Sequence, residues 1–529
     1  MKNHLRYGYA SLLAVMVIIV SGCENFLNRE PLSDLTTGTF FKAKSDMRVW
    51  VHGTYDELQN ALIGNNAAAL EWGDLRSDNY GNTGYGDTRV YMNAIDAAQG
   101  QWTWEYLYRV IDRCNVGIMK FPTIPSVTPA DYNDYLGQLH GLRALCYFYA
   151  LRVWGAVPMT LEPWDGETAE KANLPRTPEA ELKAQILSDI DKSIELLNSD
   201  VSRKFYFNRA AAWALKTDVH MWFKEYNEAL TASQYFINHA SIKFLVATAT
   251  APGYVVWKNQ FTDPASSSES IFTMAWNQDP TGADGVNQWA QRVGASNTNN
   301  TYQVSRVIFN EFIARHQSKK GRDGRFWGVI DTAKIAYAAG ARILANPPVY
   351  RVLSTNDYGR DGTTKCVKFS QPSTAQPDRE KWQVLSTTTS TVQLPIYRFA
   401  DVMLLRAEAL NRTGNADGAL TIVNSIRSRV GYTADSKTEV ALGDVVAVED
   451  AILKERQLEF MCEGKRWFDL MRTDNVIRVM DPVMRQRQID YKVEVTGFGD
   501  PGRVKFPIYY KEFESNPALR GTQNPPYTE

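Results

Sequence analysis

RAAAWALKTDVHMW (Arg209–Trp222), then a short turn, then YNEALTASQYFIN (Tyr226–Asn238), reads as two helices folded into a hairpin. Far downstream the arrangement returns as IYRFADVMLLRAEALNR (Ile396–Arg412) and ADGALTIVNSIRS (Ala416–Ser428). The two copies share a turn and second-helix entry, EYNEAL (Glu225–Leu230) and NADGAL (Asn415–Leu420). Each places a small Ala where helices approach closely. The copies are separated by about 190 residues, so a tandem solenoid is excluded, because stacked repeats must be neighbours in sequence. Scattered hairpins that pack together in space remain compatible.

Working outward, Asp46–Ile63, Trp102–Met119, Tyr132–Trp154, Pro178–Leu197 and Glu449–Thr473 are also helical. Gly155 and Pro158 end the Tyr132–Trp154 segment. Glu71–Gly100 is rich in Gly, Asn, Asp and Tyr without a sustained period, and a loop longer than about 12–15 residues is usually functional or disordered. Ser241–Leu394 carries Gly, Pro, Ser, Thr and Asn, short β-type runs at Ser270–Trp276 and Thr389–Gln393, and one helix, Ser305–His316. Phe506–Glu529 is a Pro-rich irregular tail. The fold class is therefore mostly α: a scaffold of helical hairpins that resemble tetratricopeptide units, with a loop-rich insertion containing few short strands.

The 529 residues carry 58 Lys+Arg against 59 Asp+Glu, a formal net charge of −1. Such a balance argues against nucleic acid as a partner, which would demand a basic surface. It also removes a polybasic route to membranes. A hydrophobic fraction of 44% with 22% charged residues is globular rather than disordered. Five Cys do not make a disulfide framework. After removal of the leader, Cys114, Cys146, Cys366 and Cys462 remain; Cys146 and Cys462 sit among apolar residues at helical spacing, so buried free thiols are expected, with a disulfide as the alternative. The 14 Trp, 26 Tyr and 22 Phe leave aromatic side chains available for recognition.

Lys2 and Arg6 precede the apolar run Leu12–Val20, and Val20-Ser21-Gly22-Cys23 resembles a bacterial lipobox. Cys23 is the expected lipidation site; an N-terminal transmembrane anchor is the alternative. Residues 1–22 then form a lipoprotein signal peptide and 23–39 a lipid-anchored tether. Residues 40–240 are an N-terminal helical scaffold with the ligand loop 71–100. Residues 241–394 are the ligand-binding insertion, and 395–529 the C-terminal scaffold and tail.

The chain has no G-x-S-x-G elbow, H-E-x-x-H, P-loop or Rossmann fingerprint. Its six His show no metal-ligand spacing, and Asp279–Gly285 lacks the alternation and closing Glu of a calcium loop. No cofactor or metal is expected. A carboxylate pair for glycoside hydrolysis stays open among 59 acids. The charged, aromatic run EGKRWFDLMR (Glu463–Arg472), preceded by Glu455–Glu459, reads as an ion-paired helix end packed on the core.

Four stretches carry a resemblance. They are Cys23–Leu27 with Pro31 and Thr36–Phe41; Leu142–Pro158; Arg398–Arg412; and Glu455–Arg472, with Asn516-Pro517 and Gln523–Tyr527 fitting as well. In that order the sequence resembles the SusD/RagB family of surface glycan-binding lipoproteins of Gram-negative bacteria. The resemblance implies four tetratricopeptide-like units, an irregular ligand-binding half and an outer-membrane location facing the exterior. It also implies a TonB-dependent, SusC-like transporter as partner, and capture without catalysis. A peptide-capturing lid of the same architecture and a surface glycoside hydrolase are the alternatives.

Two aromatic-bearing polar regions are the candidate glycan site. Glu71–Tyr91 contributes Trp72, Asp74, Arg76, Asn79, Tyr80 and Tyr85; Trp276–Tyr302 contributes Trp289 and Tyr302. Aromatic rings would stack on sugar C–H faces while polar groups bond the hydroxyls. Tyr80, Tyr85, Trp289 and Tyr302 lie among Gly, Asn and Gln without helical period, which favours exposure over burial.

Overall fold

The computed structural model describes residues 40–64, 67–82, 88–164, 173–246, 253–276, 289, 292, 302–316, 318, 323–330, 366, 368–369 and 393–529. The expected signal peptide, tether and Cys23, together with Tyr85, lie outside the described residues.

The scaffold helices are α1 Lys44–Gln59, α2 Glu105–Lys120, α3 Pro129–Trp154, α4 Glu179–Leu196, α5 Arg209–Trp222 and α6 Tyr226–Ile237. In the insertion follow α7 Gly253–Thr262, α8 Arg306–His316 and α9 Arg325–Val329. The C-terminal part supplies α10 Phe399–Arg412, α11 Ala416–Arg429, α12 Val445–Glu459, α13 Arg466–Arg472 and α14 Val476–Asp490. The strands are β1 Tyr80–Asn82, β2 Ser270–Met274, β3 Tyr302–Val304 and β4 Leu394–Arg398.

Local chemistry sets these boundaries. At α3, Thr128 and Asp131 cap reciprocally and Pro129 occupies the first helical position; Gly155, at φ 81°, ends the helix. Asn208 caps α5 by accepting from Ala211 N (3.0 Å), and Asn415 caps α11 by accepting from Gly418 N (2.9 Å). The two hairpin turns are the same device. Glu225 N donates to His220 O (2.9 Å) and Asn415 N to Leu410 O (2.7 Å), with the preceding Lys224 and Gly414 both at positive φ.

Packing runs α1 on α2, α2 on α3, α3 on α4, α4 on α5, α5 on α6, and α10 on α11. The continuation from α6 does not follow the chain: α6 packs directly on α10, across the whole insertion. Ala229, at the expected close approach, joins Met221, Leu405 and Ala409 in one buried cluster. Arg406 on α10 donates to Leu230 O (2.8 Å) and Ser233 Oγ (2.9 Å) on α6. The hairpins separated in sequence are therefore neighbours in one stack, and the insertion emerges where the chain leaves it. The C-terminal tail closes over the end of α3: Trp154 Nε1 donates to Pro507 O (3.1 Å), and Asn524 Nδ2 to Trp154 O (2.9 Å).

Three expectations need correction. Ile396–Arg398 is strand, not helix, because it pairs antiparallel with β2 before α10 begins. The expected helix Glu449–Thr473 is broken between α12 and α13, where Cys462 (φ 67°) and Gly464 (φ 70°) turn the chain. Within the insertion, α7 and the short α9 join the one helix expected there. Among the described residues no helix is long and apolar enough to cross a membrane.

The joint between the hairpins is testable. Leu405→Ala should cost about 2–5 kcal/mol, the usual range for a fully buried Leu. A chemical-denaturation midpoint equal to wild type would show that the α6–α10 packing contributes little.

Candidate ligand-binding site

The chain from Glu71 to Leu75 forms a π-helical turn, a geometry frequent at functional sites. Gly73 allows it: a Cβ there would lie 1.8 Å from Gly464 O. The chain then extends into β1, which pairs antiparallel with β3, setting Tyr80 opposite Val304 and Asn82 opposite Tyr302. This ribbon unites the two aromatic regions singled out in the sequence. The Tyr80 and Tyr302 rings meet edge to face at 6.0 Å. A second tie is the ion pair of Arg292 with Glu71 (2.8 Å).

Exposure is where sequence and structure part. Trp72, Asp74, Arg76, Asn79, Tyr80, Trp289 and Tyr302 are all buried, at 2% exposure or less. Each side chain has an interior task. Trp72 packs on Trp154 (5.3 Å) and Tyr149 (6.3 Å). Arg76 lies over Trp467 (4.2 Å) and Phe506 (4.5 Å) and donates to Asn93 Oδ1 (2.6 Å). Trp289 Nε1 donates to Cys462 O (2.9 Å). All seven side chains are enclosed by the surrounding chain. Loop composition is silent about such burial because the covering partners come from distant sequence.

Asp74 is the hub of this frame. It accepts from Asn79 Nδ2 (2.7 Å), Ser77 Oγ (3.2 Å), Tyr80 Oη (3.1 Å) and Gly464 N (3.4 Å). Burial pushes its carboxyl up to about 7, although these hydrogen bonds pull the other way. Four residues on, Asp78 behaves oppositely. Burial disfavours its charge, but the Arg466 guanidinium (2.9 and 3.0 Å) and Gln457 outweigh it and hold the carboxyl below its ordinary value.

Sequence reasoning missed Arg487 on α14. It donates to the carbonyls of Tyr91 (2.7 Å), Ser77 (2.6 Å) and Tyr80 (3.1 Å), and its guanidinium lies 4.0 Å from the Tyr91 ring. One side chain thus fastens the loop at three points. A lone Arg in an amphipathic helix gives no sign of that task.

Beside the frame lies a cleft lined by Tyr149, Arg152, Asp218, Trp289, Tyr397 and Lys465, among others. The free space at its centre is about 20 Å³, room for one or two waters and far short of a sugar ring. Among the described residues no group of three or more His, Cys, Asp or Glu could hold a metal. The chain between Asn82 and Thr88, and most of that between Trp276 and Tyr302, lies outside the described residues.

Comparison with known proteins follows the fold. A profile of the SusD family matches residues 255–527. A second profile, described as starch-binding associating with outer membrane, matches residues 25–220. SusD-like protein P38 of Formosa agariphila is 28% identical over 553 residues, covering 100% of both chains. A SusD superfamily protein of Bacteroides vulgatus superposes with a TM-score of 0.71 at 20% identity, covering 92% of this chain and 100% of the other. A laminarin binding SusD-like protein gives 0.66 at 21% identity, with 92% and 100% covered.

Asp74 carries a pH signature. Its folded value of about 7 lies above 3.8, so its stabilising contribution is complete below pH 4 and is lost as pH rises through 7. The stability of wild type relative to Asp74→Asn should therefore fall between pH 4 and 7, by up to about 1.4 kcal/mol per pH unit. Parallel stability curves for the two proteins would mean that Asp74 is ionised throughout.

Proposed function

Because the chain belongs to the SusD family, we propose that it is a non-catalytic capture protein for oligo- or polysaccharide at the outer-membrane surface. In this reading Cys23 carries the lipid anchor, and a TonB-dependent, SusC-like transporter receives the captured glycan. The observation that carries the glycan reading is the β1–β3 ribbon, which joins two aromatic-bearing polar loops beside a rigid helical stack. Loops held by a rigid scaffold are common recognition surfaces. The outer-membrane and starch-binding description matched by residues 25–220 supports the same reading, as does the fold shared with a laminarin-binding relative.

The proposal divides the expected site residues by task. Trp72, Asp74, Arg76, Asn79, Tyr80, Trp289 and Tyr302 make the frame beneath the ligand. Tyr85, together with polar residues of the sequence between Trp289 and Tyr302, is assigned the contacts. Stacking on Tyr85 would resemble base stacking, where loss of one aromatic costs roughly 1–3 kcal/mol, or about 5- to 150-fold in affinity.

Native gels cast with laminarin, starch and other polysaccharides test this directly. One of them should retard the protein without new reducing ends appearing in solution. Tyr85→Ala should weaken the retardation at an unchanged thermal midpoint, whereas Trp289→Ala should lower the midpoint, since it removes a buried indole. Reducing ends would turn the reading to a hydrolase, and intact binding by Tyr85→Ala would move the contact elsewhere.

The anchor is tested separately. Cys23→Ala should shift the protein from the membrane fraction to the soluble one. Retention after a high-salt wash would overturn lipidation at this residue.

A further inference from the structure

Cys366 belongs to the insertion and Cys462 to the turn between α12 and α13, yet the fold lays their short segments side by side. Lys368, two residues after Cys366, donates to the carbonyls of Glu459 (2.9 Å) and Met461 (3.0 Å) and pairs with the Glu463 carboxylate. Those acceptors bracket Cys462 on both sides. The adjacent Phe369 ring stands 6.5 Å from Trp289, whose indole donates to the Cys462 carbonyl (2.9 Å). Cys462 itself is held at φ 67°, in the left-handed region that few non-Gly residues adopt. Both sulfurs are buried, and each thiol bears on the other's proton affinity. Cys114 and Cys146 lie within α2 and α3, in the same buried core.

We propose that Cys366 and Cys462 form a disulfide when the chain meets a disulfide-donating oxidant, stapling the insertion to the α12–α13 turn beneath the ligand loops. The Cys366 thiolate attacks one sulfur of the donor disulfide and releases a donor thiolate, which takes up a proton. Cys462, having given up its own proton, attacks the Cys366 sulfur of this mixed disulfide and releases the second donor thiolate. Two thiols are oxidised and one donor disulfide is reduced to two thiols. In the folded chain burial opposes the Cys366 thiolate, but the Cys462 side chain and the charges of Lys368 and Lys258 prevail, so the thiol lies below its ordinary range. The bond forms before the turn is sealed in the core, because neither sulfur is open to solvent in the folded chain. Export across the inner membrane, part of the function proposed above, supplies the oxidant in the cell; the geometry of the pair does not depend on it.

Two arms separate these points. In the first, protein from its native membrane is denatured, alkylated without reductant and mapped by mass spectrometry. In the second, the reduced full-length chain is refolded with oxidised and reduced glutathione and mapped in the same way. Both should return Cys114 and Cys146 alkylated and Cys366 joined to Cys462 in one peptide pair. Reductant should lower the thermal midpoint of the wild type and leave that of Cys366→Ser unchanged. The staple is overturned if the refolded chain yields Cys366 and Cys462 both alkylated, or either bonded elsewhere. Free thiols in the native sample beside a bonded refolded sample would support the pair and count against export.

Discussion

Three glutamates spaced four residues apart, Glu455 and Glu459 at the end of α12 and Glu463 in the turn that follows it, hold the rest of the molecule to them. All are buried, and each is met by cations from different parts of the chain. Arg325 pairs with Glu455 (2.6 Å) and Glu459 (3.1 Å) from the insertion. Arg398 at the end of β4 pairs with Glu459 and Glu463 (both 2.8 Å). Arg427 reaches Glu455 (2.9 Å) and Arg429 reaches Glu459 (2.5 Å) from α11, while Arg315 on α8 reaches Glu455 (2.9 Å). Burial opposes the charge on Glu455 and Glu459, yet the surrounding guanidinium groups hold both far below the ordinary carboxylate range. Such a cluster need not beat an apolar core in stability, but losing one partner leaves a buried charge unpaired, at about 3–5 kcal/mol. It therefore selects one arrangement of insertion and scaffold over its alternatives.

The helical stack depends on that selection. Because α6 rests on α10, the long excursion between them must leave and re-enter the scaffold at adjacent points. The β2–β4 pairing and the arginine at the end of β4 fix the re-entry. The insertion is thereby clamped at its base.

The frame under the ligand loops follows the same logic on a smaller scale. A π-helical turn, a carboxyl accepting four hydrogen bonds and one arginine binding three carbonyls shape a segment with no regular period of its own. Rigidity at this level lowers the ordering cost of ligand capture, since fewer side chains and loops remain to be immobilised on binding. The aromatic residues inside the frame are buried and hold its shape.

What the sequence determined is local or cumulative. The 3.6-residue period repeats within each hairpin, so the helices from Arg209 to Ile237 and from Phe399 to Arg429 were legible, with only the start at Ile396 placed three residues early. The ion-paired character of Glu463–Arg472 and the burial of Cys146 and Cys462 were legible for the same reason: charge and apolar pattern lie within one or two turns. Tertiary structure alone decided which loop aromatics are interior. Tyr80 is capped by Asp74, Asp74 by Gly464 390 residues away, and the Tyr80 carbonyl by Arg487 407 residues away. No periodicity links such positions. Polar neighbours such as Gly81 and Asn79 resemble those of an exposed loop, while their hydrogen bonds are satisfied from distant chain. Composition records what a residue can do; burial records what the fold packs against it, and only the folded chain specifies the second.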